Sequence, residues 1–156
     1  MRKNTQKVIR ILFYMYISVL FVLVIIKFRG SFYQLEITRN RILWNREQGF
    51  WNYNITPFRT ISPYLKNITD SYAYMNILGN IVPFIPFGFF VPMVLFKKVR
   101  FLKTILLSFL CVLLFEIFQF ISMLGFFDID DVILNTLGCM VGYLIYFICL
   151  SFKHSL

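Results

Sequence analysis

The sequence predicts an all-α integral membrane protein: a bundle of about four transmembrane helices, with a long, partly interfacial outer segment after the first. Three observations carry this. Of the 156 residues, 59% are hydrophobic and 20% aromatic, and the mean hydropathy is +0.72, outside the range of soluble globular chains. Four stretches approach or exceed the about 20 apolar residues that a helix needs to cross a bilayer. The basic residues behind the formal charge of +9 flank apolar runs or lie in one long loop. No hydrophilic domain collects them, which argues against a nucleic-acid partner and for membrane lipids.

The first span, residues 8–26, is flanked by Arg2, Lys3 and Lys7, with Arg10 in its first turn, on one side and by Lys27 and Arg29 on the other. Its apolar part is too long for the core of a cleavable signal and no A-x-A site follows, so it is expected to remain as a signal anchor. Residues 27–71 form the outer segment, too long for a bare connector in so small a protein. Trp44, Phe50, Trp51, Tyr53 and Phe58 stand among its arginines, a composition suited to the bilayer surface. The alternative is a loosely ordered loop. The second span, 72–96, carries no charge but is interrupted by Pro83, Pro86 and Pro92. The third, 101–124, contains Glu116 and Gln119, and the fourth, 132–152, is uncharged. Cys111, Cys139 and Cys149 all lie in apolar runs without metal-ligand spacing and read as small apolar fillers. One membrane domain, residues 1–156, is expected, with no cofactor.

Lys and Arg gather at the N-terminus and in the short link of Lys97, Lys98, Arg100 and Lys103. The positive-inside rule places both in the cytoplasm. Both termini then lie inside, and segment 27–71 and the acidic link 128–131 lie outside.

On that topology three helices bring polar side chains to one depth. Asn76 and Asn80 are one turn apart in the outer half of the second span. Glu116 lies roughly 20 Å along the third, at 1.5 Å per residue, with Gln119 a turn later. Asp131 and Asn135 open the fourth. A carboxylate within a membrane costs about 3 kcal/mol on insertion scales and normally faces a bundle interior or a water-filled cavity, so Glu116 is expected to have partners there. For the asparagines, simple hydrogen bonding between helices is the alternative to a ligand site. Gly138 and Gly142 form a G-x-x-x-G pair suited to close packing, within the bundle or in a homo-oligomer.

The stretch GFFDIDDVILNTLG, residues 125–138, holds three of the chain's seven acids. Asp130 is expected to cap the fourth helix and Asp131 to sit in its first turn, where the macrodipole favours an anion. Asp128 is then a surplus charge that calls for a cation, either Arg59 or a divalent ion.

Four ordered motifs resemble the VanZ-like proteins: NITPFRTI (54–61), NILGNIVPFIPFG (76–88), EIFQ (116–119) and FDIDDVILNTLG (127–138), within a region of about 52–148. The residues fitting that family's polar pattern are Arg59, Asn80, Glu116, Gln119, Asp128, Asp131 and Asn135. Where many members carry an arginine shortly before the aspartates, this chain has Gly125, Phe126 and Phe127, which leaves Arg59 as the nearest candidate counter-ion. The resemblance implies a bacterial cell-membrane protein connected with low-level resistance to teicoplanin-type glycopeptides. The expectation is a ligand-binding pocket in the outer leaflet, made of Arg59, Asn76, Asn80, Glu116, Gln119, Asp128, Asp131 and Asn135. Its partner would be a lipid headgroup, a lipid-anchored cell-wall intermediate or a lipoglycopeptide. Two alternatives stand beside it: metal-assisted or acid/base chemistry on a membrane lipid phosphate by Glu116, Asp128 and Asp131, and a structural accessory subunit.

Overall fold

The computed structural model describes residues 3–25, 32–96 and 100–155. Arg2, Lys27, Arg29, Lys97 and Lys98, which bear on the orientation argument, lie outside them, as does the end of the first expected span at residue 26. In chain order the elements are α1 (Lys3–Ile25), α2 (Phe32–Glu47), β1 (Tyr53–Asn54), α3 (Ile61–Lys66), α4 (Ser71–Ile81), a 3-10 turn (Val82–Phe84), α5 (Ile85–Leu95), α6 (Phe101–Ser122), β2 (Phe127–Asp128) and α7 (Ile129–Ser155). Four helical stretches are long and apolar enough to cross a membrane: Asn4–Val24, Ser71–Leu95, Phe101–Ser122 and Ile129–Phe152. The chain is a multi-pass, all-α membrane protein.

The buried core is small for so apolar a chain. Phe13 and Leu20 of α1 meet Phe84, Phe87 and Val91 from the second span, Val112 of α6, and Val132 and Cys139 of α7. Leu12, Leu106, Leu114 and Ile148 stay exposed, as expected where hydrocarbon is the solvent outside the bundle. Close approach of backbones organises the centre. A Cβ added to Gly138 or Gly142 would collide with the carbonyl oxygens of Ile81 and Ile85, and one added to Gly88 would collide with that of Cys139. The small-residue pair in α7 is therefore used within the chain, against the second span.

The prolines divide that span without ending it. Pro83 lies in the 3-10 turn, Pro86 in the first turn of α5, where its missing N–H costs little, and Pro92 inside α5. The Val82 carbonyl takes the Ile85 N–H in the tighter turn. The Tyr16 hydroxyl of α1 donates to the Pro83 carbonyl, so a neighbouring helix supplies a partner at the break.

Two features depart from expectation. Part of the outer segment is the 16-residue helix α2. The loop after it is fastened to the bundle by the parallel pair β1 and β2, with Tyr53 opposite Phe127 and Asn54 opposite Asp128. The fourth span also starts earlier than residue 132, at Ile129, because a different aspartate caps it.

Candidate functional site

The roles of the acids differ from those expected at the start of α7. The Asp130 N–H donates to Asp128 Oδ1 at 3.0 Å, so Asp128 is the N-cap, bonding the second residue of the helix in the usual way. Its remaining capacity goes to neutral donors: Asn54 Nδ2 at 3.0 Å on Oδ1 and the Thr60 hydroxyl at 2.6 Å on Oδ2. Among the described residues no cation reaches it. Arg59 is exposed, and among the described residues no cluster of three or more His, Cys, Asp or Glu is arranged to hold a metal ion.

Asp130, expected to cap the helix, faces the other way. It is fully buried and accepts three backbone N–H groups from the loop entering α3: Phe58 at 2.6 Å on Oδ1, with Thr60 at 2.7 Å and Ile61 at 3.0 Å on Oδ2. Three backbone donors on one carboxylate make an anion-binding nest whose anion is part of the chain. Phe58 adopts φ of 64° to join it, a strained conformation for a bulky residue that persists only where surrounding contacts impose it. Thus the neighbours of Arg59, through their backbone, answer the acidic link.

The loop is also fixed from its other end. Asn52 is buried, and its Oδ1 accepts Arg46 Nε at 3.0 Å and Nη2 at 2.6 Å. Its Nδ2 donates to the Gly125 carbonyl at 2.8 Å. Arg46 Nη2 also donates to the Phe120 carbonyl at 3.2 Å, partnering a carbonyl that the last turn of α6 leaves open. The Arg46 guanidinium lies 5.1 Å from the Trp51 ring centroid and 5.2 Å from that of Phe120, and Arg41 lies 5.5 Å from that of Phe126. α2 therefore grips the turn between α6 and β2. Loose tethering of this region is excluded by its bonds.

Beneath the capped end lie the intramembrane polar groups. Glu116 and Gln119 are 1% and 0% exposed, Asp131 6% and Asn135 1%. Asn80 Nδ2 donates to Asp131 Oδ1 at 2.7 Å, joining the second and fourth spans, and the Asp128 N–H approaches Glu116 Oε2 at 3.4 Å, joining the fourth to the third. Gln119 Nε2 donates to the Val24 carbonyl of α1. Asn80 is thus bonded to Asp131 and Glu116 to the backbone of Asp128, with Gln119 tying α6 to the first helix. Asn135 stands one turn from Asp131 on the same face of α7. Asn76 is not part of this set: its Nδ2 returns to the Tyr72 carbonyl of its own helix at 2.7 Å. Two buried acceptors, Gln119 Oε1 and Asn135 Oδ1, have no hydrogen-bond partner among the described residues.

Above them α3 brings Tyr64 against Tyr72 of α4, ring centroids 6.0 Å apart and nearly perpendicular. Burial, a hydrogen bond with Tyr72 that favours the protonated hydroxyl, and the negative charges of Asp131 and Asp128 push the Tyr64 hydroxyl up to about 12. Phe58, Ile61, Ser62, Leu65 and Lys66 line an open cavity of about 400 Å³, whose wall Asp130 holds through Phe58 and Ile61.

Several of these residues escaped the sequence argument. Arg46 lies in the last turn of a helix of low amphipathicity, and Asn52, Asn54 and Thr60 sit in the stretch after it, where no periodicity marks them; the burial of Asp130 against that stretch has no local signal either. One signal existed: an acidic link facing a loop rich in Asn and Thr, whose amides and hydroxyls are suited to cap carboxylates.

The fold and its polar network define a multi-pass α-helical membrane protein with a hydrogen-bonded, acidic cluster between its helices at one end. The chain belongs to the VanZ/LLP1 family, whose model matches residues 13–150, a match that starts within α1 and so takes in more of the chain than the motifs alone. It is 38% identical over 101 residues to "Protein VanZ" of Enterococcus faecium, an alignment covering 65% of this chain and 55% of that protein. The chain thus spans about half the length of this curated relative. No solved structure matches it.

Proposed function

We propose that this VanZ/LLP1 protein sits in the cell membrane with its termini in the cytoplasm and its capped end in the outer leaflet. There it binds a lipid headgroup or a lipid-anchored cell-wall intermediate, and by doing so lowers the access of a teicoplanin-type glycopeptide to its target. One observation carries the reading: buried Glu116 and Asp131 and half-buried Asn80, from three separate spans, all hydrogen-bond at the head of α7, Asn80 to Asp131 and Glu116 to the Asp128 N–H. Intramembrane carboxylates are costly and ordinarily mark functional positions. The aromatic side chains of the adjoining loop, Trp51, Tyr53 and Phe58, are exposed, as suits a headgroup interface. Arg59, also exposed, remains available to a ligand phosphate. The cavity beside α3, apolar with Lys66 at its edge, suits an amphiphile.

Expression in a sensitive Gram-positive host tests this. Wild type is expected to raise the teicoplanin concentration needed to stop growth, and Glu116→Gln and Asp131→Asn, made at the same membrane level, are expected to lose the effect. An undiminished effect in both variants contradicts the pocket.

A further inference from the structure

We propose that the cavity beside α3 receives the head of an anionic phospholipid, with its phosphate on Lys66 and Ser62 and the start of its acyl chains on Phe58 and Leu65. The inference rests on the lipid-binding reading above and gives that lipid its charge. The pattern of α3 is the first ground. Ile61 and Leu65 stand one turn apart in one row, and Ser62 and Lys66 stand one turn apart in the next. Both rows, with Phe58, line the same open cavity of about 400 Å³. An apolar strip thus runs beside a polar one along a single turn. Ile61 is buried, whereas Phe58 and Leu65 are 61% and 59% exposed, so the apolar strip has surface left to cover.

The polar strip is the second ground. Lys66 is exposed and Ser62 half-buried, and neither side chain has a hydrogen bond or ion pair among the described residues. The acids that could answer Lys66 are engaged elsewhere. Asp70, four residues on, accepts the Tyr72 N–H at 3.2 Å, and both oxygens of Asp130, behind the wall, are covered by the N–H groups of Phe58, Thr60 and Ile61. What remains at the cavity is an ammonium and a hydroxyl, donors suited to a phosphate. A choline or ethanolamine head would set its own cation against Lys66, which favours a lipid with net negative charge. The third ground is preorganisation. Asp130 fixes the backbone of Phe58 and Ile61 before any ligand arrives, so little ordering is left to oppose binding. Trp51, Tyr53 and Ile55 on the adjoining loop are exposed, the surroundings of a headgroup layer rather than of a free ion in water.

The full-length protein in neutral detergent is titrated with short-chain phosphatidylglycerol, with phosphatidylcholine of the same chains and with inorganic phosphate, while its thermal unfolding midpoint is followed. Phosphatidylglycerol is expected to raise the midpoint at concentrations about tenfold lower than phosphatidylcholine, the contribution of one charge-assisted hydrogen bond. Lys66→Gln, at an exposed position, should erase that preference, and Lys66→Arg should keep it. Lys103→Gln removes the same charge from the opposite end of α6 and should leave the preference unchanged. Equal responses to the two lipids, or full preference in Lys66→Gln, overturn the proposal. So does an equal loss in Lys66→Gln and Lys103→Gln, which would show attraction to net charge alone. Inorganic phosphate reproducing the shift at equal concentration overturns it as well, since the chains then contribute nothing. Each of these results leaves the lipid-binding reading standing where folded Glu116→Gln and Asp131→Asn proteins respond less than wild type to either lipid. No response of wild type to any lipid removes both.

Discussion

Thr60 and Asp130, 70 residues apart in sequence, are joined by a backbone hydrogen bond of 2.7 Å, and the same threonine gives its hydroxyl to Asp128 at 2.6 Å. Through this one residue the loop before α3 is locked onto the start of α7. Acids that looked like surplus charge at the mouth of a membrane span are the attachment points of the cap.

Asp130→Ala leaves the N–H groups of Phe58, Thr60 and Ile61 without their acceptor and releases the positive φ at Phe58. A loss of about 3 kcal/mol is expected, at 1–3 kcal/mol for each buried donor left unsatisfied. Denaturation in detergent measures it, and limited proteolysis should show new cleavage between residues 50 and 70. An unchanged midpoint would mean that the nest is unimportant for the fold.

Arg46 and Arg59 should separate cleanly. Arg46→Lys removes the planar fork shared between Asn52 and Phe120 and the stacking on Trp51 and Phe120, and should cost about 1.5 kcal/mol. Arg59→Ala, at an exposed position, should change stability by no more than about 0.5 kcal/mol. Thermal unfolding of the two variants side by side is the check, and the reverse order would contradict the assignment of Arg46 as the structural cation.

Glycine positions give a contrast of sign. Gly142→Leu drives a side chain into the backbone of Ile85 and Phe89, with an expected cost of about 3 kcal/mol from overpacking. Gly79 in α4 has nothing within 4 Å of an added Cβ. Gly79→Ala should therefore stabilise by about 0.5–1 kcal/mol through helix propensity. Equal effects at both positions would contradict the packing of the second span on α7.

Tyr64 offers a test by pH. Its hydroxyl is pushed up to about 12 from an ordinary 10.0, so the folded state holds this proton more tightly than the unfolded one. The contribution is fully present below pH 10 and is lost as pH rises toward 12. Unfolding midpoints across that window should fall more steeply for wild type than for Tyr64→Phe. Identical slopes would contradict the burial of Tyr64 against Tyr72 near Asp131 and Asp128.

Hydropathy alone located the spans, because a membrane demands runs of apolar residues whatever the neighbours are. The same logic singled out Asn80, Glu116 and Asp131, since polar groups in such runs are rare enough to stand out. Asn76 satisfied that rule yet bonds only to its own helix, a choice that spacing cannot reveal. Arg46, Asn52, Thr60 and the true direction of Asp130 stayed hidden for another reason. Their partners lie 6 to 74 residues away, across contacts that no local period reveals. The glycines of α7 announced a close approach, but only the fold identifies the second span as the element that comes close.

The central claim is that Glu116 and Asp131 form a lipid-binding pocket, and the most direct measurement is mass spectrometry of the intact protein released from mild detergent. Wild type is predicted to retain a bound lipid that folded Glu116→Gln and Asp131→Asn proteins release. Equal lipid retention by all three, or none by wild type, would contradict the account.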